Sequence, residues 1–299
     1  MFLLAEGGGH HTPLIVEFVN HYLGEPVLWF EQNYTIPAWN WLFGKLGVDT
    51  TAEKMFGPYN VETAIPWYTV MFVIACLLTV TLIWIFKGKL SEDDPRPGQL
   101  TLEAGFLAIK DMVVSVIGEH GFKYFPVVAT FATLILVSNL MGLFPLFMSP
   151  TAHISVTFAL GITSFIYYNY VGIRENGIVA HLGHLTGPIW WIAPLIFFIE
   201  LFSNLIRPMT LGIRLFANMF ADEQISLIIS GLFPPFTQFI VPVVLLPLAV
   251  FVALVQTLVF TLLSMIYISE VSHAPHDHDD THEHEHLGEN PGEAVAAHA

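Results

Sequence analysis

Six polar side chains recur along one apolar segment of this 299-residue chain: Glu200, Ser203, Arg207, Thr210, Arg214 and Asn218. With Arg214 set at zero and about 100° per residue, the other five fall at about +40°, −20°, +20°, −40° and +40°, so one narrow helical face holds them all. Each charge in such a segment costs roughly 2.5 to 3.5 kcal/mol on insertion scales, and intramembrane charges mark ion or proton pathways by default. A plainer account exists for part of the stripe, because Glu200 and Arg207 lie two turns apart and can form a structural ion pair. Arg214 has no carboxylate so close along the stripe. Ala217 and Ala221, at about −60° and −20°, have the small-xxx-small spacing that lets another backbone approach, from a partner or from this chain itself. Glu223 falls about 180° from Arg214 and should point into the protein, with Asp222 beside it at the mouth of any polar path there.

These groups need a membrane to carry them, and the composition supplies one. Hydrophobic residues make up 54% of the chain and charged residues 12%, with a mean hydropathy of +0.63, beyond the usual range of soluble domains. The net charge of −15 is concentrated at the end: seven of the 25 acids follow Glu270, together with seven of the 14 histidines. The single cysteine, Cys76, can build neither a disulfide framework nor a thiolate metal site. No phosphate-binding glycine pattern precedes Lys45 or Lys89, so neither nucleotide binding nor nucleic-acid contact is expected of this chain. Residues 1–9 lack a basic n-region and a long apolar stretch, and no cleaved signal is expected.

The fold class expected is an all-α membrane protein. Residues 1–61 hold many aromatics (Trp29, Phe30, Trp39, Trp41, Phe43) and should lie at the membrane surface outside the cytoplasm. Residues 62–272 form the membrane domain. Its first span runs over 64–86, and an interfacial helix over 100–117 should lie flat. Spans over 125–146 and 154–171, with Arg174 ending the second, make a hairpin. Two apolar blocks follow, 188–231 and 234–270, each nearly twice the length of a vertical span. Each block fits either one strongly inclined helix, bent or broken near Pro208 in the first and bent at Pro242 and Pro247 in the second, or two ordinary helices. Pro234 and Pro235 should make the turn between the blocks. Lys87, Lys89, Arg96, Lys110, Lys123 and Arg174 fall on one side of this arrangement and Lys45 and Lys54 on the other, which puts the N-terminus outside and the C-terminus in the cytoplasm. Residues 273–299 read as a disordered cytoplasmic tail, whose histidines and acids would bind Zn²⁺ or Ni²⁺ only adventitiously.

The segment Leu211-Gly-Ile-Arg-Leu-Phe-Ala-Asn-Met-Phe-Ala221 is similar to the signature of subunit a of the rotary ATP synthase, a leucine- and glycine-flanked Arg-Leu-Phe-(Gly/Ala)-Asn-Met. Asn139-Leu-Met-Gly-Leu-Phe-Pro145, Glu200 fourteen residues before the arginine, and Gln256 in the last apolar block extend the resemblance over roughly residues 10–272. It implies a stator subunit of the bacterial inner membrane, without catalysis, metal or cofactor of its own. Its partners would be the c-ring, the b-type peripheral stalk and the remaining ATP synthase subunits. Two half-channels would carry protons to and from the ring carboxylates on either side of an essential Arg214. The resemblance places Asn218 and Gln256 near the crossing point, Glu223 and Asp222 on the inlet, and Glu200, Ser203 and Arg207 on the outlet. Asn139 and His153, near the outer end of the hairpin, are candidates to assist the inlet, or else serve a loop or cap. Thr257, Thr261 and Ser264 either line the helix interface or simply pack there. One departure stands out: some relatives have a histidine or acid seven residues before the glutamine, and this chain has Ala249.

Two other classes are weighed on residues alone. A self-contained transporter would be expected to show internal repeats and paired broken segments, which are not evident. An intramembrane hydrolase would need a nucleophile and base, or a metal cluster, in register, whereas the histidines of the membrane body scatter through loops.

Overall fold

The computed structural model describes residues 13–272 apart from 48–49, 53, 55–59, 62–63, 89–90, 92–93, 145–146, 178–190, 192 and 232–235. Lys89, the Pro234–Pro235 turn and the His/acid-rich tail lie outside the described residues. Among those described there is no strand. The helices are α1 (Leu14–Phe30), α2 (Ile36–Leu46), α3 (Trp67–Lys87), α4 (Pro97–Ile117), α5 (Phe125–Met141), α6 (Ile154–Asn176), α7 (Ala193–Ser230) and α8 (Phe236–Ser272). A π-helical turn, Glu31–Thr35, joins α1 to α2, and 3₁₀ turns precede α5 and α6. Among the described residues, five stretches are long and apolar enough to cross a membrane: α3, the 3₁₀ turn with α5, α6, and most of α7 and of α8. Helix α4 is not among them, since Glu103, Lys110 and Asp111 interrupt it.

Element ends follow local chemistry. Helix α4 starts on Pro97, where a missing N–H costs nothing, and stops at Gly118 with φ +94°. Helix α6 runs past Arg174 to Asn176 and stops at Gly177, whose φ of +77° suits glycine alone. Helix α5 ends at Met141, five residues short of the expected 146. The last turn tightens, with Leu143 N bonded to Leu140 O at 3.1 Å and Phe144 N to Met141 O at 3.2 Å. Proline at 145 disfavours helical backbone in the residue before it, so the chain leaves the helix there.

Each long apolar block is one helix, not two. At ~1.5 Å per residue, the 38 residues of α7 and the 37 of α8 extend about 57 and 55 Å. Pro208 lies inside α7 and deprives the Asn204 carbonyl of its usual donor. Tyr168 of α6 brings its hydroxyl onto the Asn204 side-chain oxygen and to 3.5 Å from the freed main-chain oxygen. The helix runs on past the proline, with a polar group of a neighbouring helix beside the freed carbonyl.

The hairpin of α5 and α6 forms the middle of the bundle, 44% of each span being buried against 22% for α3, α7 and α8. Ile135, Leu160, Leu211, Leu215 and Phe260 meet in one core; Val113, Ile117, Tyr124, Tyr168 and Met265 meet in a second, nearer the Lys123–Glu175 ion pair of 2.7 Å. Ser164 and Ser264 share a hydrogen bond of 3.0 Å between α6 and α8, and Asn176 Nδ2 donates to Val271 O at 2.8 Å. Such interhelical bonds contribute about 0.6 kcal/mol each in lipid. At the N-terminal end, the Asn20 amide clasps both main-chain groups of Ile65, at 3.0 and 3.1 Å, while Trp29, Phe30, Tyr34 and Trp41 remain exposed.

Helices α6 and α7 cross with their backbones close together. A Cβ on Gly161 would stand 2.6 Å from Pro208 O, and one on Gly212 would stand 3.0 Å from Thr157 O. Gly161→Ala should therefore destabilise the fold by about 1–3 kcal/mol through overpacking, lowering the thermal midpoint of the purified protein in detergent. Gly105→Ala in α4, where nothing lies within 4 Å, should leave that midpoint unchanged or raise it, by up to about 1 kcal/mol in helix propensity.

Candidate functional site

Helix α7 has a buried arc and an exposed arc, and Arg214 sits where they meet. Leu211, Leu215 and Met219 are buried, Ile213 and Phe220 are exposed, and Ala217 and Ala221 lie on the exposed side. Arg214 itself is exposed, and among the described residues it makes no ion pair. Its helix carries apolar side chains over the same open face, including Ile206 and Ile213. A lasting positive charge within an apolar surface needs a partner, so this edge is suited to an anionic group on another molecule.

Two antiparallel contacts fix α8 beside this edge. Asn218 Nδ2 donates to Gln256 Oε1 at 2.6 Å, one turn beyond Arg214. Gln256 is 2% exposed and its Nε2 is buried without a partner among the described residues, which leaves a donor in the seam. Seven residues before Arg214, about 10 Å along the axis, Arg207 holds Glu270 of α8 through two bonds of 2.5 and 2.9 Å. Glu200 stands 3.6 Å from the same guanidinium, and the Tyr267 ring lies 5.2 Å from it. The ion pair expected of Glu200 and Arg207 is thus present as the weaker half of a three-residue cluster. Ser203 lies half-buried on the same stripe, and Thr210 turns its hydroxyl back to Arg207 O at 2.9 Å. Thr257 and Thr261 likewise bond their own helix, at 2.7 Å each, whereas Ser264 bonds across to Ser164 of α6.

Beyond Arg214 in the other direction, nine residues and about 14 Å along α7, a cavity of about 300 Å³ opens between α5, α7 and α8. Asn139, Asp222, Glu223, Ser226 and Ala249 line it, together with Ser149 of the hairpin loop. Asn139 is 3% exposed. Its Oδ1 accepts from Thr151 at 2.6 Å, Thr151 meets Ser149 at 2.7 Å, and Ser149 reaches Ser138 O at 3.0 Å, so the loop fixes the amide. Asn139 Nδ2 is buried without a partner among the described residues. Ala249 contributes only a methyl group to the wall, which leaves room for water where a larger polar side chain would stand. His153 is placed elsewhere: it stacks on Tyr68 at 3.8 Å, meets Trp67 edge-on at 5.7 Å, and caps α6 by accepting from Ser155 N at 3.3 Å. Burial pushes its imidazole below the ordinary value, in keeping with a neutral ring that accepts through Nδ1.

The structure therefore brings Asn139, Asp222 and Glu223 to one cavity, Asn218 and Gln256 to one hydrogen bond, and Glu200, Ser203 and Arg207 to one stretch of α7. It leaves His153 outside all three. Glu270 is the functional candidate that sequence reading missed; as a lone acid in the apolar last block it carried a signal, but it reads equally as the start of the acidic tail. Among the described residues no group of three histidine, cysteine or acidic side chains is placed to hold a metal ion.

Residues 69–269 match the family model described as ATP synthase A chain. The chain is 42% identical to ATP synthase subunit a of Geobacter sulfurreducens over 196 residues, which is 66% of this chain and 82% of that protein. It is 38% identical to ATP synthase subunit a 2 of Syntrophotalea carbinolica over 233 residues, covering 77% and 93%. It is 46% identical to ATP synthase subunit a 3 of Pelobacter propionicus over 219 residues, covering 72% and 92%. A membrane-spanning helical bundle with two arginines in its longest apolar helix, matched over two thirds of its length, belongs to the ATP synthase subunit a family, whose members serve the membrane sector rather than the catalytic one.

Proposed function

We propose that this chain is the proton-translocating stator against which the c-ring turns, with Arg214 as the barrier between two half-channels. The observation that carries this reading is the position of Arg214: on the rim of the open face, with a polar cavity on one side of it and an acid cluster on the other. A rotor carboxylate facing lipid is neutral, since ionising it there costs several kcal/mol. Beside Arg214 the same group ionises. A guanidinium stays protonated at any physiological pH and cannot relay a proton, so it attracts the ionised acid and blocks direct passage. Protons on opposite sides of it are exchanged only by rotation of the ring. Each charge crossing the membrane supplies ~2.3 kcal/mol per 100 mV to that rotation, which drives ATP synthesis in the catalytic head.

The cavity lined by Glu223, Asp222 and Asn139 is the inlet in this scheme, with water standing beside Ala249. The seam containing Glu200 and Ser203 is the outlet, with Arg207 beside it as a tuning charge rather than a carrier. Asn218 and Gln256, bonded to each other one turn from Arg214, keep the seam polar at the crossing point. His153 closes the outer end of α6 as a cap rather than taking part in transfer. Lys87, Arg96, Lys110, Lys123 and Arg174 all lie toward the end of the bundle that holds the start of α7 and the end of α8. The positive-inside rule makes that end cytoplasmic, puts the N-terminus outside and opens the cavity outward. The N-terminal helices then rest on the outer surface with their aromatic rings, and α4 lies along the inner one. The peripheral stalk and the other subunits of the complex hold the chain against the torque of the ring in the bacterial inner membrane.

Arg214→Ala should leave assembly intact, because no ion pair within the described fold depends on that side chain, yet abolish ATP-driven acidification of inverted membrane vesicles. Acidification at the normal rate would refute the role given to it. Glu223→Gln should slow the same signal by roughly a hundredfold, the low end of the effect of losing a positioned proton-transfer group, without making the membrane leaky. A large passive leak, measured as rapid collapse of an imposed pH gradient without ATP, would count against its placement on the inlet.

A further inference from the structure

We propose that Glu270 is a positioning residue for the inner proton path: by holding Arg207 in a two-point ion pair, it keeps that guanidinium from closing on Glu200. This rests on reading the α7–α8 seam as the outlet. Arg207 gives Nη1 to one Glu270 oxygen at 2.5 Å and Nη2 to the other at 2.9 Å. The same Nη2 stands 3.6 Å from Glu200 Oε1, too far for a hydrogen bond. A planar guanidinium engaged in this way by one carboxylate cannot present the same paired edge to a second. Tyr267, also on α8, covers the guanidinium and holds it toward that helix. From α6, Tyr168 faces the cluster with its hydroxyl committed to Asn204. Among the described residues no other ion pair reaches these three charges.

Glu200 is therefore held in the field of a cation without being locked by it, and its side chain remains 37% exposed. A carboxylate in that state keeps lone pairs open to water. One paired at two points with a permanent cation must break two charge-assisted bonds before it can take up a proton. If the Glu270 charge is removed, Arg207 needs only a small rotation to pair fully with Glu200, which lies on the same face of its own helix. Loss of Glu270 is thus a gain of attraction at Glu200.

The test is a rescue, read as ATP-driven proton pumping by the assembled complex in inverted vesicles. Glu270→Gln should slow pumping about fivefold, the scale of a part-exposed ion pair. Adding Arg207→Gln to that variant should restore most of the lost rate, because Glu200 is then released. A helix clamp alone would behave oppositely, since both changes break it and the double variant would be no faster than the single one. That result, an unchanged rate in Glu270→Gln, or failure of Glu270→Gln to assemble would each overturn the proposal. Arg214→Ala run alongside separates the two levels. Normal pumping by it removes the underlying pathway, whereas loss of pumping with no rescue at position 207 removes only the role of Glu270.

Discussion

Hydrocarbon offers no hydrogen bonds, so every polar group carried into it must find a partner within protein or face a water-filled space. This one constraint organises the C-terminal half of the chain. The Asn204 side chain, one turn before Pro208, meets Tyr168 from the neighbouring helix, the Asn218 amide meets Gln256, and the Arg207 guanidinium meets Glu270 and, at longer range, Glu200. Asn139 is held by Thr151 at the wall of a cavity large enough for water. Arg214 is the exception. Its charge lies on the open side of the bundle without an ion pair among the described residues, where the proposed rotor carboxylates would meet it.

The packing serves the same end. Small residues at the α6–α7 crossing, Gly161 against Pro208 and Gly212 against Thr157, let those helices approach to backbone contact. This close approach anchors the otherwise lightly buried α7 to the hairpin in the middle of the bundle. One side of α7 is then free to remain apolar and open over several turns, with Ile206, Ile213 and Phe220 flanking the alanines beside Arg214. In a soluble protein so broad an apolar face would invite aggregation, whereas lipid or a second subunit covers it here.

Much of this was legible in the residues. The stripe from Glu200 to Asn218 is a consequence of helical period alone, and the structure keeps those groups on one side of α7. The hydropathy of the spans and the separation of basic residues follow from side-chain chemistry in the same direct way. Other features depend on contacts between distant parts of the chain. Helix α7 runs unbroken through Pro208 with Tyr168, 40 positions earlier, beside the freed carbonyl, and the partner of Arg207 lay 63 positions later on α8. The early end of α5 turned on the local geometry before Pro145, which a hydropathy window smooths over. His153 drew attention as a titratable group near the hairpin loop, but aromatic stacking and a helix cap account for its contacts. The cavity could not be read from the sequence, because it is made of what Ala249 lacks as much as of what Glu223 and Asn139 provide.

The two bonds joining α7 to α8 act as rungs at separate heights. Asn218 with Gln256 and Arg207 with Glu270 obey nearly the same antiparallel register, eleven residues apart on one helix and fourteen on the other. Sliding either helix by a single residue would shift it ~1.5 Å and turn its side chains by about 100°, undoing both rungs together. A sideways drag applied near Arg214 falls between two points of attachment instead of prying at one, and the pair of helices resists it as a single beam.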